Sequence, residues 1–256
     1  MSTALIGYTG FVGGTLLRQH HFDALFNSKN IDQIAGQRFD SIVCAGAPAE
    51  KWKANANPGA DWRALERLIG QLCQAKAERL ILISTVDVYG QPKEVTEADE
   101  PAGATPYGAH RHALEKNLAE RFPTLVVRLP ALFGTGLKKN AIYDLLNGNQ
   151  VDRIDSRACY QFYGLDRLWA DIKTADCAGL ELVNFATEPV SIGEVAREAF
   201  GGDFQNEVSA TPARYDIRTQ HSHLFGGTDG YIESRLEVLE GLRRFVAMQR
   251  QEKRCA

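Results

Sequence analysis

A tyrosine and a basic residue stand four positions apart in "TPYGAHRHALEK" (residues 105–116), at Tyr107 and Arg111. On a helix these two side chains share one face. A free tyrosine has a pKa of about 10, and a cation within about 4–6 Å lowers that pKa by about 1–3 units. The spacing therefore predicts a phenol tuned for proton transfer. Lysine is the usual partner in such a pair, so Arg111 marks either an active site with a substituted partner or a site that has lost its activity.

The surroundings of Tyr107 distinguish this pair from two others, Tyr163–Arg167 and Tyr231–Arg235, that have the same spacing. Only the pair at Tyr107 follows a strand-like run ending in "TVDVYG" and stands at the start of a predicted helix. Arginine is always charged and supplies the electrostatic effect, but its planar fork is wider than the compact ammonium group of lysine. We therefore expect Arg111 to acidify Tyr107 while holding a ligand differently from lysine.

The stretch "GYTGFVGG" joins the first predicted strand to the first predicted helix. A glycine-rich turn at this position lets backbone N–H groups approach a pyrophosphate and directs the positive end of the helix dipole at it. The spacing G-x-x-G-x-x-G between a strand and a helix predicts a dinucleotide site. Its predicted cofactor-binding residues are Gly7, Gly10, Phe11, Val12 and Gly13.

The second predicted strand ends near Asn27, which is followed by Ser28 and Lys29. An acidic residue here would bind the ribose hydroxyls and favour NAD, whereas a serine beside a lysine is suited to the 2′-phosphate of NADP. All three residues are predicted cofactor contacts. The cofactor is NAD or NADP, with a slight preference for NADP, and the alternative is that Lys29 is an ordinary solvated loop residue.

Strand-like runs alternate with helical patterns through the first half of the chain. The predicted strands include "TALIGY", "FDALFN", "FDSIVCAGA", "RLILIST" and "TLVVRLPALFG", the last taken as one buried strand. The predicted helices include "FVGGTLLRQH", "DWRALERLIGQLCQA" and "PYGAHRHALEKNLAERF". This alternation predicts an α/β fold with a doubly wound parallel sheet of the Rossmann type.

Beyond residue 136 the pattern becomes less regular. We expect residues 1–136 to form the dinucleotide-binding domain and residues 137–256 to form mainly a small C-terminal α/β substrate-binding subdomain, with some segments returning to the first domain. Ser191 and Glu194 predict a capping box, and Gly201 a helix end. The last predicted helix has four apolar residues on or near one face: Leu236, Leu239, Leu242 and Val246.

The composition excludes several classes of protein. The 256 residues carry a net charge of −3 with both signs interspersed, so we expect no nucleic-acid partner. No apolar run approaches the roughly 20 residues of a membrane span. The N-terminal stretch "MSTALIGYTG" lacks the basic region of a signal peptide, so we expect none there. The five cysteines are scattered and the histidines lack further ligands at metal spacing. We expect reduced thiols, no metal site and a cytoplasmic protein.

Three motifs, "GYTGFVGG", "ISTVDVYG" and "TPYGAHR", together resemble the extended short-chain dehydrogenase/reductase superfamily, specifically its NAD-dependent epimerase/dehydratase group, which acts on nucleotide sugars. The resemblance covers most of the chain, because "RLPALFG" is similar to the family strand that ends near the nicotinamide and "EVLEGLRRFV" to a C-terminal helix. The short connection "FNSKNIDQIAGQRFDSIVCAGAP" is most similar to the nucleotide-4-keto-sugar reductases and fucose synthases.

The resemblance implies a catalytic set. Tyr107 corresponds to the family's catalytic tyrosine and Arg111 to its lysine, which also positions the cofactor ribose. Thr85 corresponds to the Ser or Thr that hydrogen-bonds the reacting sugar oxygen. Asp87 lies near the position where dehydratases carry two adjacent acidic residues, but Val86 interrupts such a pair. Reduction or epimerisation is therefore favoured over dehydration.

The resemblance also implies further cofactor contacts beside Tyr107 and Arg111. These are Ala45, Gly46, Ala47, Ser84, Leu129 and Pro130. The implied function is that of an NAD(P)-dependent oxidoreductase or epimerase that acts on a nucleotide-linked sugar by hydride transfer. The alternative is a catalytically weak NAD(P)-binding sensor or scaffold protein, which the arginine would permit. The expected partner is the small-molecule nucleotide sugar, and a homodimer is left open.

Overall fold

The computed structural model describes residues 2–255, with Cys255 described by its backbone alone. The strands are β1 (Thr3–Ile6), β2 (Ala24–Phe26), β3 (Arg38–Cys44), β4 (Lys76–Thr85), β5 (Lys93–Val95), β6 (Thr124–Leu129), β7 (Ala131–Phe133), β8 (Cys159–Tyr160), β9 (Phe162–Gly164), β10 (Leu182–Asn184), β11 (Val190–Ser191) and β12 (Asp216–Ile217). The helices are α1 (Phe11–Gln19), α2 (Lys51–Ala56), α3 (Pro58–Leu72), α4 (Pro106–Ala119), α5 (Ala141–Asn147), α6 (Leu168–Cys177), α7 (Ile192–Val195) and α8 (Arg235–Cys255).

Six parallel strands form the main sheet, in the order β10-β6-β4-β3-β1-β2. At the end of β1, Ile6 pairs with Phe26 of β2 on one side and with Cys44 of β3 on the other. From β1 the chain passes to the edge strand β2 on one side and then crosses to β3 on the other side of β1. The later strands β4, β6 and β10 extend the sheet on that second side. Because parallel crossovers are right-handed, this reversal places α1 and α3 on opposite faces of the sheet. The predicted doubly wound fold is confirmed.

The core on one face of this sheet joins apolar strand residues to α3 and α4. In α3, Leu65 and Leu72 are fully buried and Trp62 is partly buried against the same cluster. In α4, Leu114 and Leu118 complete this core. These residues recur at helical spacing, so burial of one apolar stripe fixes each helix against the sheet. The position of α4 matters because this helix carries Tyr107.

The start of α4 is determined by local sequence. Thr105 is the N-cap, and its side chain accepts a hydrogen bond from the backbone N–H of Gly108 at 3.4 Å. Pro106 occupies the first helical position, where the missing N–H costs nothing. This combination of cap and proline makes Tyr107 the second residue of the helix.

The run "TLVVRLPALFG" is not one strand, and that prediction is wrong. The six residues of β6 end at Leu129 and pair with β4 and β10 in the main sheet. After Pro130, the three residues of β7 pair instead with β9 in a separate two-stranded sheet. Proline has no N–H to donate to a ladder and therefore interrupts the strand at this point.

The chain folds as two compact units. The first unit comprises residues 1–91, 97–129 and 168–184, and the second comprises 92–96, 130–167 and 185–256. The main sheet lies wholly in the first unit, which the chain first leaves at the short strand β5 and leaves again after β6. Residues 168–184 supply α6 and the edge strand β10 to this unit.

The second unit has its own apolar core, to which α5, α7 and α8 contribute. The capping box of Ser191 and Glu194 forms as predicted, and Gly201 ends the helical segment with a φ of +72°. In α8, three of the four predicted apolar residues are buried: Leu239, Leu242 and Val246. Leu236 is 79% exposed, contrary to the prediction, because it lies well away from the centre of that buried stripe at about 100° per residue.

Candidate active site

The glycine loop, residues 7–14, lies so close to the end of β3 and to the start of α1 that some of its positions have no room for a side chain. Gly7 has a φ of +86°, and a Cβ atom there would overlap the carbonyl oxygen of Ala45. A Cβ atom at Gly13 would overlap the carbonyl oxygen of Gly7, so the first turn of α1 lies directly on the loop. A Cβ atom at Gly46 would lie 2.9 Å from the side chain of Ile6. These glycines bring the carboxyl ends of β1 and β3 together at the point where the strand order reverses, which is where such sheets bind ligands.

Gly10 differs from the other two loop glycines. It is exposed and caps α1, and its carbonyl oxygen accepts the N–H of Gly14 at 2.8 Å. A Cβ atom at Gly10 would meet only the carbonyl oxygen of Gly7 within 4 Å, at 3.3 Å. The loop therefore leaves a cradle above the start of α1 that a side chain would fill. Phe11 and Val12 begin the helix beside this cradle, each half-buried. A dinucleotide pyrophosphate fits this arrangement.

The tip of β2 lies beside the glycine loop, because the N–H of Gly7 donates to the carbonyl oxygen of Phe26 at 2.7 Å. Asn27 follows directly, and its side-chain oxygen accepts the N–H of Lys29 at 2.9 Å. This turn leaves the side chains of Ser28 and Lys29 exposed. The first acidic residue after β2 is Asp32, which belongs to the 3₁₀ turn Ile31–Ile34.

Tyr107 lies against the chain that follows β4. A Cβ atom at Gly108 would overlap the carbonyl oxygen of Asp87, so the start of α4 contacts the 3₁₀ turn Val86–Val88 at backbone distance. The hydroxyl oxygen of Thr85 caps this turn by accepting the N–H of Asp87 at 3.2 Å. In this hydrogen bond the Thr85 hydroxyl is the acceptor, so its own proton can be donated to another oxygen. The fold thus brings Thr85, Asp87 and Tyr107 to one edge of the sheet.

Arg111 is buried and held by Asp61 of α3. Two guanidinium nitrogens donate to the two carboxylate oxygens at 2.9 Å each, and the Arg111 side chain is 2% exposed. One of them also donates to the carbonyl oxygen of Pro48. Asp61 in turn lies 2.8 Å from the imidazole of His110. The guanidinium carbon lies 4.4 Å from the ring centroid of Tyr107, so the cation covers the aromatic face.

The net effect on Tyr107 differs from the expectation. Burial raises the pKa of Tyr107 and outweighs Arg111, whose charge acts to lower it. Asp87 also raises this pKa, and Lys51 lowers it. Arginine therefore has the predicted direction of effect, but the protein without ligand holds the phenol above its ordinary pKa. The charge of Arg111 is shared with a buried carboxylate, which weakens its action on the ring.

Two residues of α2 belong to this site and were not predicted. The Lys51 ammonium lies 2.7 Å from the carboxylate of Asp87, and the side-chain oxygen of Asn55 accepts the N–H of Tyr107 at 3.0 Å. They are one helical turn apart and so share a face of α2. The sequence signal was this i, i+4 spacing just after the third predicted strand, within the segment "EKWKANA".

A buried polar network lies beneath the site. The Ser84 hydroxyl donates to the carboxylate of Glu115, which also receives two hydrogen bonds from Arg128 at 3.1 and 2.6 Å. Arg128 donates further to the hydroxyl of Tyr89 at 2.7 Å, and that hydroxyl contacts Asn184. The network ties α4 to β4, β6 and β10. The Ser84 hydroxyl, which is predicted as a cofactor contact, donates its proton to Glu115 in this network.

The remaining predicted cofactor contacts are distributed over two strand ends. Ala45, Gly46 and Ala47 follow β3, and each is half-buried. Leu129 ends β6 opposite Thr85 of β4 and is buried. Pro130 follows it and is half-buried, as the first residue of the second segment of the second unit.

Within the described residues, Cys44, Cys73, Cys159 and Cys177 are free thiols, and burial raises the pKa of Cys44 to about 11. The side chain of Cys255 lies outside the described residues. No group of three or more His, Cys, Asp or Glu side chains in the described part of the chain could hold a metal ion. Of the helices in that part, none has the length and apolar character needed to cross a membrane.

Comparisons with known proteins identify a family and a shared fold. A model of the NAD dependent epimerase/dehydratase family matches residues 12–150. Curated proteins give no significant sequence match. Among solved structures, UDP-galactose 4-epimerase has a TM-score of 0.76 at 16% identity, with 98% of this chain and 99% of that chain covered.

Two further structures have the same fold. MoeE5 in complex with UDP-glucose and NAD has a TM-score of 0.74 at 18% identity, covering 98% of this chain and 99% of the other. The dTDP-4-dehydrorhamnose reductase of Bacillus anthracis in complex with NADP has a TM-score of 0.73 at 19% identity, covering 97% and 100%. The family match spans more than half of the chain, from the first turn of α1 to just beyond α5. The chain belongs to the NAD-dependent epimerase/dehydratase family.

Proposed function

We propose that this protein is an NAD(P)-dependent oxidoreductase or epimerase that acts on a nucleotide-linked sugar, with Tyr107 as the acid/base. The observation that carries this proposal is the placement of Tyr107, Thr85 and Asp87 at the sheet edge that also holds the glycine loop. The family and its fold neighbours support the substrate class, since the neighbours were solved with UDP-glucose and NAD or with NADP.

The cofactor would be held by residues of this sheet edge. The cradle over Gly7, Gly10 and Gly13 is suited to the pyrophosphate, and the tip of β2 to the adenosine ribose. Asn27, Ser28 and Lys29 offer an amide, a hydroxyl and an ammonium group there, which suits a 2′-phosphate. We therefore favour NADP over NAD. When bound, the nicotinamide supplies or accepts the hydride.

The chain's own residues would handle the proton. In reduction, Tyr107 gives its phenolic proton to the sugar oxygen that becomes a hydroxyl group, and oxidation is the reverse. Thr85 would hold that oxygen through its free hydroxyl proton. Arg111, over the ring of Tyr107, would stabilise the tyrosinate left after the proton has moved. The Nε of Arg111 is buried and has no hydrogen-bond partner among the described residues, so a ribose contact by Arg111 would require its side chain to move.

The raised pKa of Tyr107, which follows mainly from burial, is compatible with reduction. A carbonyl is reduced only if the tyrosine begins protonated, and a raised pKa keeps it protonated at neutral pH. Oxidation or epimerisation must begin with the tyrosinate. Arg111 and Lys51, whose charges lower the pKa of Tyr107, would favour that form.

The second candidate function is a weakly catalytic NAD(P)-binding sensor or scaffold. It is favoured by the pairing of Arg111 with Asp61, because a carboxylate 2.9 Å from the guanidinium offsets part of the charge expected to activate Tyr107. This candidate keeps the glycine loop and the cofactor but has little turnover.

One experiment separates these functions. Binding of NADH and NADPH is measured by calorimetry, and nucleotide sugars are screened by their effect on melting temperature. Sugars that bind are then assayed for hydride transfer through the NAD(P)H absorbance. We expect turnover that falls about 10²–10⁴-fold in Tyr107→Phe, with cofactor affinity unchanged. Unchanged turnover in Tyr107→Phe contradicts the acid/base assignment, and tight cofactor binding without turnover of any nucleotide sugar supports the sensor.

A further inference from the structure

The positive charges around Tyr107 are not equivalent. Arg111 is 2% exposed and forms a two-point ion pair with Asp61, at 2.9 Å for both hydrogen bonds. A carboxylate this close offsets part of the field of the guanidinium at longer range, although Arg111 still has the largest charge effect in lowering the pKa of Tyr107. The burial of both partners also prevents the guanidinium from following a change of charge on the ring. Arg111 is therefore a fixed part of the packing between α3 and α4.

Lys51 is placed differently. Its side chain is 42% exposed and its ammonium lies 2.7 Å from Asp87, whose side chain is 21% exposed. One turn along α2, Asn55 accepts the N–H of Tyr107 at 3.0 Å, which fixes this face of the helix against the start of α4. Asp87 is fixed there too, because Gly108 allows backbone contact between α4 and the turn that carries it. Lys51 thus lies on the face of α2 that contacts the start of α4, and its side chain is far more exposed than that of Arg111.

Several charged groups surround Tyr107 on the elements packed against it. Arg111 lies on its own helix, Asp87 on the turn after β4 and Lys51 on α2. Asp61 and His110 belong to the same cluster, but Asp61 is paired with Arg111 and His110 with Asp61. The charges of Asp87 and Lys51 shift the pKa of Tyr107 in opposite directions, upward and downward respectively. Lys51 and Asp87 are therefore the adjustable charges of this site.

We propose that Lys51 is a positioning residue that supplies the adjustable positive charge of the Tyr107 site, with Asp87 holding it in place. This inference rests on the proposed function. When the O–H bond of Tyr107 breaks and its proton passes to the sugar oxygen, a negative charge is left on the phenolate. The ammonium of Lys51 would stabilise that charge by turning from Asp87 toward it, which the flexible four-carbon stem of lysine allows. An arginine at position 111 is then compatible with activity.

The test is a titration of Tyr107 in the protein without cofactor or substrate. Difluorotyrosine is incorporated, because its phenol ionises at lower pH, and ¹⁹F NMR follows each ring; the Tyr107 signal is the one lost in Tyr107→Phe. We expect a higher Tyr107 pKa in Lys51→Met, a lower one in Asp87→Asn and a value near the wild type in Lys51→Arg. Lys53→Met is the matched control, because Lys53 lies on the same helix but pairs with exposed Glu50.

The outcomes are distinct from those for the proposed function. A Tyr107 pKa in Lys51→Met equal to that in Lys53→Met overturns the inference, and so does a rise in Asp87→Asn. Neither result depends on a substrate, whereas the acid/base role is judged by turnover in Tyr107→Phe. If turnover is found, its pH profile should shift with the titration in both variants, and a purely structural effect of Lys51 would lower activity without moving that profile.

Discussion

Removing Arg111 should destabilise the fold far more than removing an exposed cation from the same helix. The Arg111 and Asp61 side chains are 2% and 5% exposed, and two hydrogen bonds of 2.9 Å join them. Arg111→Met leaves the carboxylate buried with the imidazole of His110 as its neighbour. Breaking a buried pair by removing one partner costs about 3–5 kcal/mol, and we expect the free energy of unfolding to fall by this amount.

The measurement is urea unfolding followed by far-UV circular dichroism. Lys116→Met is the matched control, because this lysine is also on α4 but is 59% exposed and pairs with exposed Glu100. Its loss should cost less than about 1 kcal/mol. The double variant Asp61→Leu/Arg111→Met removes both charges and should recover most of the loss, since apolar replacement of both partners is often neutral.

The same pair makes stability depend on pH. Burial acts to raise the pKa of Asp61, but hydrogen bonds from Arg111 and His110 outweigh it and the pKa is lowered. A carboxyl group with a lowered pKa in the folded state adds to the free energy of unfolding. This contribution is fully present above the pKa of the group in the unfolded chain, about 3.9, and is lost as the pH falls toward its pKa in the folded protein. The wild type should therefore lose stability relative to the double variant below about pH 4.

Two results would refute this account of Arg111. One is a loss of less than about 1 kcal/mol in Arg111→Met, since that is the scale of an exposed pair. The other is a double variant whose loss equals the sum of the single losses, which would mean that the two side chains are not coupled. Arg111→Lys keeps the charge near Tyr107 but loses one of the two hydrogen bonds, so we expect activity to be retained with a loss of about 1–3 kcal/mol in stability.

The cofactor site supports two further predictions. Gly10→Val should abolish NAD(P) binding while the fold is retained, because the added Cβ atom would meet only the carbonyl oxygen of Gly7 within 4 Å, at 3.3 Å, and the side chain would occupy the cradle; calorimetry and circular dichroism measure the two effects. Gly13→Ala is the contrasting variant and should unfold at lower temperature, since its Cβ atom would overlap the carbonyl oxygen of Gly7. A folded Gly10→Val variant with normal affinity would contradict the dinucleotide site. Lys29→Ala should weaken NADPH binding much more than NADH binding; equal effects would make Lys29 an ordinary loop residue.

Features that depend on residues close together in the sequence could be predicted from the sequence alone. The glycine loop requires a positive φ at Gly7 and close backbone packing at Gly13, and only glycine provides both. Thr105 and Pro106 determine where α4 begins, and hence the helical position of Tyr107. Pro130 marks the end of β6 in the sequence as well, but the apolar residues on both sides of it predict a single strand. The alternation of strands and helices was sufficient to predict the doubly wound sheet.

The charge environment of Tyr107 was decided only by the tertiary structure. Asp61 precedes Arg111 by 50 residues and Lys51 precedes Asp87 by 36, so no local pattern reveals either pair. They meet because the strand order places β3 beside β4, which brings α2 and α3 against α4. The tyrosine–arginine spacing gave the direction in which a nearby cation moves the pKa of Tyr107. The net direction is opposite because burial, which only the packed fold produces, disfavours the charged phenolate more than Arg111 favours it.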